Sequence, residues 1–296
     1  MGRLLRSVLA LAIFGAAAGW YLTAPVTRPT ADLEKLTGDA THGETIFWAS
    51  GCASCHAAPG AKGADQLVLA GGEAFATAFG TFYAPNISSD PKEGIGGWDI
   101  ATFAHAVQDG VTPEGEHEYP AMPYVAYAKM EPQDLVDLKA YIDTLPAAAT
   151  PNKDHEVSFP FNIRRAIGGW KLLFGGTGYV LTGDLSDQVK RGRYIAEALA
   201  HCGECHTPRN ALGGVDKAAW LGGGALPDGK GKVPNITSGK LNWSDADIFT
   251  YLTTGATPDF DFAGGAMTHV VENMGHLPES DVKAVVAYLK AVPAVQ

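Results

Sequence analysis

The sequence predicts a mainly α-helical chain made of two tandem copies of one unit, preceded by a single apolar N-terminal helix. Three observations carry this prediction. The pentapeptide Cys52-Ala53-Ser54-Cys55-His56 returns 150 residues later as Cys202-Gly203-Glu204-Cys205-His206. Later landmarks keep nearly the same offset: 149 residues from Pro85-Asn86-Ile87 to Pro234-Asn235-Ile236, 145 from Trp98 to Trp243 and 147 from Pro146 to Pro293. Apolar residues around these landmarks recur at helical spacing. At 296 residues, each copy is long enough to bury a core of its own. The expected division is 1–30 for a signal-anchor or transmembrane segment with its tether, and 31–148 for the first unit. Residues 149–184 form an aromatic linker, and 185–296 the second unit.

The N-terminal element comes first. Arg3 and Arg6 precede an uncharged run from Ser7 to Ala24, and the first acidic residue is Asp32. Eighteen helical residues reach about 27 Å, close to the roughly 30 Å of a bilayer core. Trp20 and Tyr21 sit where interfacial aromatics would anchor the far end. The positive-inside rule places everything after Ala24 outside the cytoplasm, on the periplasmic side of a bacterial inner membrane. The segment reads as a retained anchor. The alternative is a signal peptide cleaved near Ala16-Ala17-Ala18, which would leave the protein free in the periplasm. Thr23 to Thr30 holds Pro25 and Pro29 and reads as a tether.

A helix through Gly43, Ile46 and Phe47 leads into the first pentapeptide. Ile100, Phe103, Ala104 and Val107 share a helical face with Gly110 as its stop, and another helix follows Pro132, carrying Leu135, Leu138 and Ile142. The second unit repeats the order. Gly192 and Ile195 precede its pentapeptide, Ser244 and Asp247 form a capping-box start, and Val282, Val285, Val286 and Leu289 line the last helix. Between the units, Phe159 to Arg165 and Trp170 to Phe174 are too apolar and aromatic for a free linker. They are expected to pack along both units, with a docking strip for a partner or a membrane surface as the alternative.

The pentapeptide is the attachment signature of c-type haem. Two thiols bond to the porphyrin edge, and the adjacent histidine reaches the iron. Structural zinc would need four ligands close together, whereas these cysteine pairs lie far apart and each brings its own histidine. All four cysteines are used, so none remains for a disulfide. Two covalently bound haem c groups are expected on Cys52, Cys55, Cys202 and Cys205, with His56 and His206 as iron ligands.

The opposite axial ligand decides the chemistry. Met122 lies between Pro120 and Pro123 in a loop that cannot become a helix, and Met267 stands 145 residues later after a matching alanine. Met130 matches Leu277 and reads as packing at a helix start, and Met274 has no methionine counterpart. Met122 and Met267 are therefore the expected ligands, with His117 and His269 as rivals. Two six-coordinate irons would leave no site for a substrate, so no catalytic residue is assigned. A carbonyl near Pro59 or Pro208 would orient each histidine. Asn86, Asn235, Trp98, Trp243 and Arg209 are candidates for contacts to the haem edge or its propionates.

A net charge of −10 argues against nucleic acid as a partner and suits a partner with a basic docking face.

Several phrases resemble a known family. They are Gly80 to Ile87, Gly94 to Trp98, Tyr119 to Tyr124, Phe159 to Asn162 and His201 to Asn210. All are similar to the cytochrome c subunits of membrane-bound alcohol and gluconate dehydrogenases, over roughly Gly38 to the C-terminus. The resemblance implies two tandem class I cytochrome c domains, His/Met ligation and electrons received from a periplasmic dehydrogenase. Those relatives carry a third haem domain after the second, which is not found before Gln296. The expected role is a non-enzymatic relay from such a dehydrogenase to a cytochrome, oxidase or quinone-linked complex of the respiratory chain. A tethered shuttle between a quinol-oxidising complex and a terminal oxidase is the alternative, and a dihaem peroxidase a more distant one.

Overall fold

The computed structural model describes residues 2–296, and Met1 lies outside the described residues. Helix α1 spans Gly2–Leu22, and none of its residues is buried. Its 21 residues reach about 31 Å, with a mean hydropathy of 1.5 over its most apolar stretch. That length and composition suit a membrane span and equally a signal sequence.

The segment that follows is not the loose tether expected. Pro25 and Pro29 keep it extended, and extended backbone must find partners on a neighbour. Arg28 supplies them. Its backbone N–H and Nε–H donate to the two Asp109 carboxylate oxygens at 2.9 and 2.7 Å, and its other guanidinium nitrogens reach the Ala128 and Gln108 carbonyls.

The first unit begins with α2 (Ala40–Ser50), capped by the Asp39 carboxylate, which accepts from the Thr41 and His42 N–H groups. Gly51, at φ 66°, turns the chain into α3 (Cys52–His56). A hairpin of β1 (Ala74–Thr77) and β2 (Gly80–Tyr83) follows. Helix α4 (Ile100–Ala104) widens into a π-turn over 105–109 and stops at Gly110, φ 58°. Then come α5 (Tyr124–Tyr127) and α6 (Pro132–Ile142), whose proline occupies the first turn, where its missing N–H costs nothing. Helix α6 crosses α2 at Gly43. A Cβ there would lie 2.0 Å from the Asp137 carbonyl, so the two backbones touch and only glycine fits. Ile46, Phe47 and Leu135 are fully buried around this crossing.

Strand β3 (Glu156–Val157) leaves the first unit by adding to β2, and α7 (Arg164–Phe174) follows. Helix α7 packs along both units, as its aromatic composition predicts. Lys171 donates to the Asp109 and Gly110 carbonyls of the first, and Trp170 Nε1 to the Leu212 carbonyl of the second.

The second unit is the first rebuilt. Helix α8 (Asp187–Tyr194), capped by Ser186, runs through a π-turn over 195–199 towards α9 (Gly203–His206). Strands β4 (Gly224–Ala225) and β5 (Lys232–Val233) form a small hairpin. Helix α10 (Asp245–Thr254) starts at the expected Ser244–Asp247 capping box and ends at Gly255, φ 78°. Helices α11 (Met267–Gly275) and α12 (Glu279–Ala291) complete it. Where α8 crosses α12, Gly192 takes the role of Gly43. A Cβ there would lie 1.8 Å from the Ala284 carbonyl. The Cβ atoms of Tyr141 and Tyr288 stand equally close to the two glycine positions, at 2.9 Å. Buried side chains of both units join in one continuous core.

Candidate functional site

In α3 the Cys-x-x-Cys spacing sets the two thiols about one turn apart on one helical face, and His56 ends that turn. His56 Nδ1 lies 2.8 Å from the Pro85 carbonyl, and His206 Nδ1 lies 2.8 Å from the Pro234 carbonyl. A carbonyl only accepts, so both rings carry their proton on Nδ1 and present the Nε2 lone pair. Burial pushes both histidines below the ordinary imidazole range, which keeps that lone pair free at neutral pH. The orienting carbonyls belong to the Pro-Asn-Ile phrases and not to the neighbourhood of Pro59 or Pro208. The loop some thirty residues on returns to the ring in each unit.

The asparagines of those phrases brace the loop. Asn86 Nδ2 donates to the Ala148 and Thr150 carbonyls, and Asn235 Nδ2 to the Val295 carbonyl. Each thereby ties its histidine-supporting loop to the strand of chain that leaves the unit. Arg209 is spent locally on Glu204 and the Gly213 carbonyl. Trp98 and Trp243 pack half-buried against the core.

Burial pushes the Cys52 and Cys202 thiols up to about 12 and the Cys55 thiol to about 11. Cys205 lies close enough to raise Cys55 further by charge repulsion. Side chains of the second unit also reach the first motif and its surroundings. Asn273 Nδ2 donates to Ser54 Oγ at 2.8 Å, Gln66 Nε2 donates to Glu272 at 2.7 Å, and the His276 ring stacks on Trp48 at 3.8 Å. From the other side, Tyr127 donates to the Ser50 carbonyl while its ring meets the His201 ring edge-on at 5.7 Å.

Met122 is half-buried in its proline loop. It lines a cavity with Pro120, Pro123, His201, Glu204 and Trp220, and neither His56 nor His206 is among that lining. Met267 is half-buried at the first position of α11. Met130 and Met274 lie in the core at 3% and 2% exposure. Of the rival histidines, His117 is buried with Nε2 2.9 Å from the Thr23 carbonyl, and His269 is exposed.

Three features near the motifs escaped the sequence reading. His201 stands where the first unit has Gly51 and adopts a positive φ of 42°, a conformation that histidine tolerates better than most. Ser54 and Asn273 are ordinary polar residues 219 positions apart. Glu197 is 2% exposed and accepts from the Val180 and Leu181 N–H groups and the Tyr288 hydroxyl, which in turn accepts from Trp220. Its signal was available: an acidic residue inside the apolar run Ile195-Ala196-Glu197-Ala198-Leu199.

The donor set fits two covalently attached haems. It offers paired thiols on one helical turn, each pair followed by a neutral, oriented imidazole, half-buried at His56 and buried at His206. Buried Trp48 Nε1, Ser50 Oγ and Tyr124 Oη have no partner within the protein, which leaves them for polar atoms of a bound group.

Known proteins agree with this arrangement. The family model described as cytochrome c matches residues 40–146 and again 189–293. A dihaem cytochrome c-type protein of Cereibacter sphaeroides is 54% identical over the whole of both chains. The fructose dehydrogenase cytochrome subunit of Gluconobacter japonicus is 37% identical over 94% of this chain and 57% of its own length. The gluconate 2-dehydrogenase cytochrome c subunit of Pantoea cypripedii is 34% identical over 85% of this chain and 59% of its own. This chain therefore spans a little over half of each of those two dehydrogenase subunits. With two family domains, each headed by its attachment motif, the chain belongs to the cytochrome c family as a dihaem member carrying two covalently bound haem c groups.

Proposed function

We propose that this chain relays single electrons from a periplasmic dehydrogenase to the respiratory chain. In this reading Cys52, Cys55, Cys202 and Cys205 form the thioethers, and His56, Met122, His206 and Met267 are the axial ligands. Bound haem c supplies a reversible one-electron couple whose potential follows its axial ligands and surroundings. The protein residues hold and tune it. Pro85 and Pro234 fix the two imidazoles through their Nδ1 protons, which raises the basicity of Nε2. The choice of Met122 and Met267 is supported by their equivalent, half-buried positions, while Met130 and Met274 are committed to the core.

The observation that carries the proposal is the close seating of the second unit on the first motif, where Asn273 of α11, the helix that begins at Met267, donates to Ser54. Electron tunnelling falls off exponentially with distance, so a relay needs its two stations side by side. A relative named as a dehydrogenase cytochrome subunit supports the donor class. The acceptor is proposed to be a cytochrome, an oxidase or a quinone-linked complex.

We further propose that α1 is retained as a single anchor in the inner membrane, with both haem domains in the periplasm. The cation–π contact of Arg165 over Trp20, at 4.3 Å, and its hydrogen bond to Thr23 support a fixed seat for the end of α1 against α7. The proposed division remains 1–30, 31–148, 149–184 and 185–296.

The test is affinity purification of the tagged full-length protein from its native membranes. The proposal expects a flavin, quinoprotein or molybdenum dehydrogenase to co-purify, with its substrate reducing both haems. Reduction through a quinol-oxidising complex alone would overturn it in favour of a shuttle, and rapid peroxide turnover in favour of an enzyme.

A further inference from the structure

The two units differ most on the surface beside their methionines. In the first, the chain from Gly110 to Met122 forms a hairpin closed by a bridge between Val111 and His117, and the Glu118 N–H donates to the Gly110 carbonyl. The second repeats it 145 residues later, with a bridge between Ala256 and Phe262 and the Ala263 N–H on the Gly255 carbonyl. Helix α7 covers the first hairpin. Arg164 donates to the His117 carbonyl at 2.9 Å, Lys171 reaches the Asp109 and Gly110 carbonyls at 2.7 Å, and His117 is 3% exposed. Among the described residues nothing plays this part for the second hairpin. Phe262, the counterpart of His117, is 70% exposed, and Phe260 is 96% exposed.

Phe260 is also strained. Its counterpart is Gly115, whose φ of 77° suits glycine, yet Phe260 holds φ 64° with its ring in solvent. A bulky residue in this left-handed region destabilises the fold, and no burial within the chain compensates. The hairpin itself carries one sign of charge. From Gly255 to Gly265 the only charged residues are Asp259 and Asp261, whereas Asp245, Glu279 and Asp281 nearby in sequence are paired with Lys290, Lys283 and Arg191.

We propose that the Gly255–Gly265 hairpin is the docking surface for a redox partner that presents a basic, amphipathic helical face. The partner would seat beside Met267 as α7 seats beside Met122. Its cations would meet Asp259, Asp261 and the Thr254 and Gly255 carbonyls, and its apolar side would cover Phe260 and Phe262. The inference rests on reading Met267 as an axial ligand, because docking there places the partner next to the second haem.

The test uses full-length dihaem protein in detergent, reduced with dithionite and freed of excess reductant, and oxidised mitochondrial cytochrome c, a lysine-rich redox protein, as the probe. Stopped-flow electron transfer is measured for wild type, Phe260→Gly, the pair Phe260→Ala with Phe262→Ala, and the pair Asp259→Lys with Asp261→Lys. At low ionic strength the charge-reversal pair is expected to lose about tenfold in second-order rate and most of its salt dependence. The alanine pair is expected to lose about fivefold. Phe260→Gly is expected to react more slowly while unfolding at equal or higher denaturant, since glycine relieves the strain. Wild-type rates and salt dependence in all three would overturn the proposal. So would a Phe260→Gly protein less stable than wild type, because Phe260 would then serve the fold. A concentration-dependent dimer abolished by the alanine pair would assign the surface to a second copy of this chain and overturn it as well. Far-red spectra of the oxidised proteins keep the two readings apart. A wild type without a methionine-to-iron band fails the axial reading but still yields docking rates.

Discussion

Asn273 donates a 2.8 Å hydrogen bond to Ser54, joining the helix that begins at Met267 to the middle of the first haem-attachment motif. The second unit thus holds the first where its cofactor is bonded. Replacing Asn273 by alanine removes one neutral hydrogen bond and is expected to cost about 1 kcal/mol. Ser54→Ala should cost a similar amount. A double-mutant cycle on urea unfolding should give a coupling of about 0.5–1 kcal/mol between them.

Gly43 and Gly192 set the two helix crossings. With a Cβ 2.0 Å from the Asp137 carbonyl or 1.8 Å from the Ala284 carbonyl, neither backbone can stay in place. Gly43→Ala and Gly192→Ala are each expected to destabilise by about 3 kcal/mol or more, as overpacked cores do. Each should also lower the haem recovered per chain, read from the pyridine haemochrome spectrum against protein mass.

Glu197 is a buried polar hub in the core of the second unit. Its removal leaves two backbone N–H groups and the Tyr288 hydroxyl without their acceptor. Glu197→Leu is expected to lose about 3 kcal/mol, and Glu197→Gln distinctly less because its carbonyl oxygen still accepts. Denaturant midpoints of the two variants measure the difference.

Two histidines outside the attachment motifs, the buried His117 and the half-buried His155, give the fold an acid edge. Burial lowers His117, with Lys171 and Arg165 adding to the effect, and its ring meets the Thr23 carbonyl. Burial also lowers His155, whose Nδ1 accepts from the Tyr83 N–H. Arg164 lowers His155 further and Asp154 opposes it. Both therefore bind fewer protons folded than unfolded just below pH 6.5. Their stabilisation is present above the unfolded value and is lost as pH falls from about 6.5 towards the lower folded values. The urea midpoint is expected to fall between pH 7.5 and pH 5.0, and less steeply in His117→Gln.

Much of this was legible in the sequence because one unit occurs twice. The repeated motif, the Ser244–Asp247 capping box and the stop at Gly110 rest on local rules, and each appears where the spacing places it. Contacts between distant backbone were not legible. The carbonyls that orient His56 and His206 carry no side-chain signal, so proximity in sequence points to Pro59 and Pro208 while Pro85 and Pro234 supply the acceptors. The bracing of backbone by the Asn86 and Asn235 amides has no local sequence signal either. The Thr23–Thr30 segment looked loose because nothing in its composition marks Asp109 as the partner of Arg28. Duplication also hides differences. Only the structure reveals that α7 covers one methionine hairpin and leaves Phe260 and Phe262 bare on the other.

The central claim is a relay through two haems, each held between a histidine and a methionine. Near-infrared magnetic circular dichroism of the oxidised full-length protein tests it most directly. The account predicts two low-spin His/Met signals in wild type. Met122→His and Met267→His should each convert one of them to a bis-histidine signal and lower that site's midpoint potential. A bis-histidine or high-spin signal in wild type, or a methionine signal that survives either substitution undiminished, would contradict it.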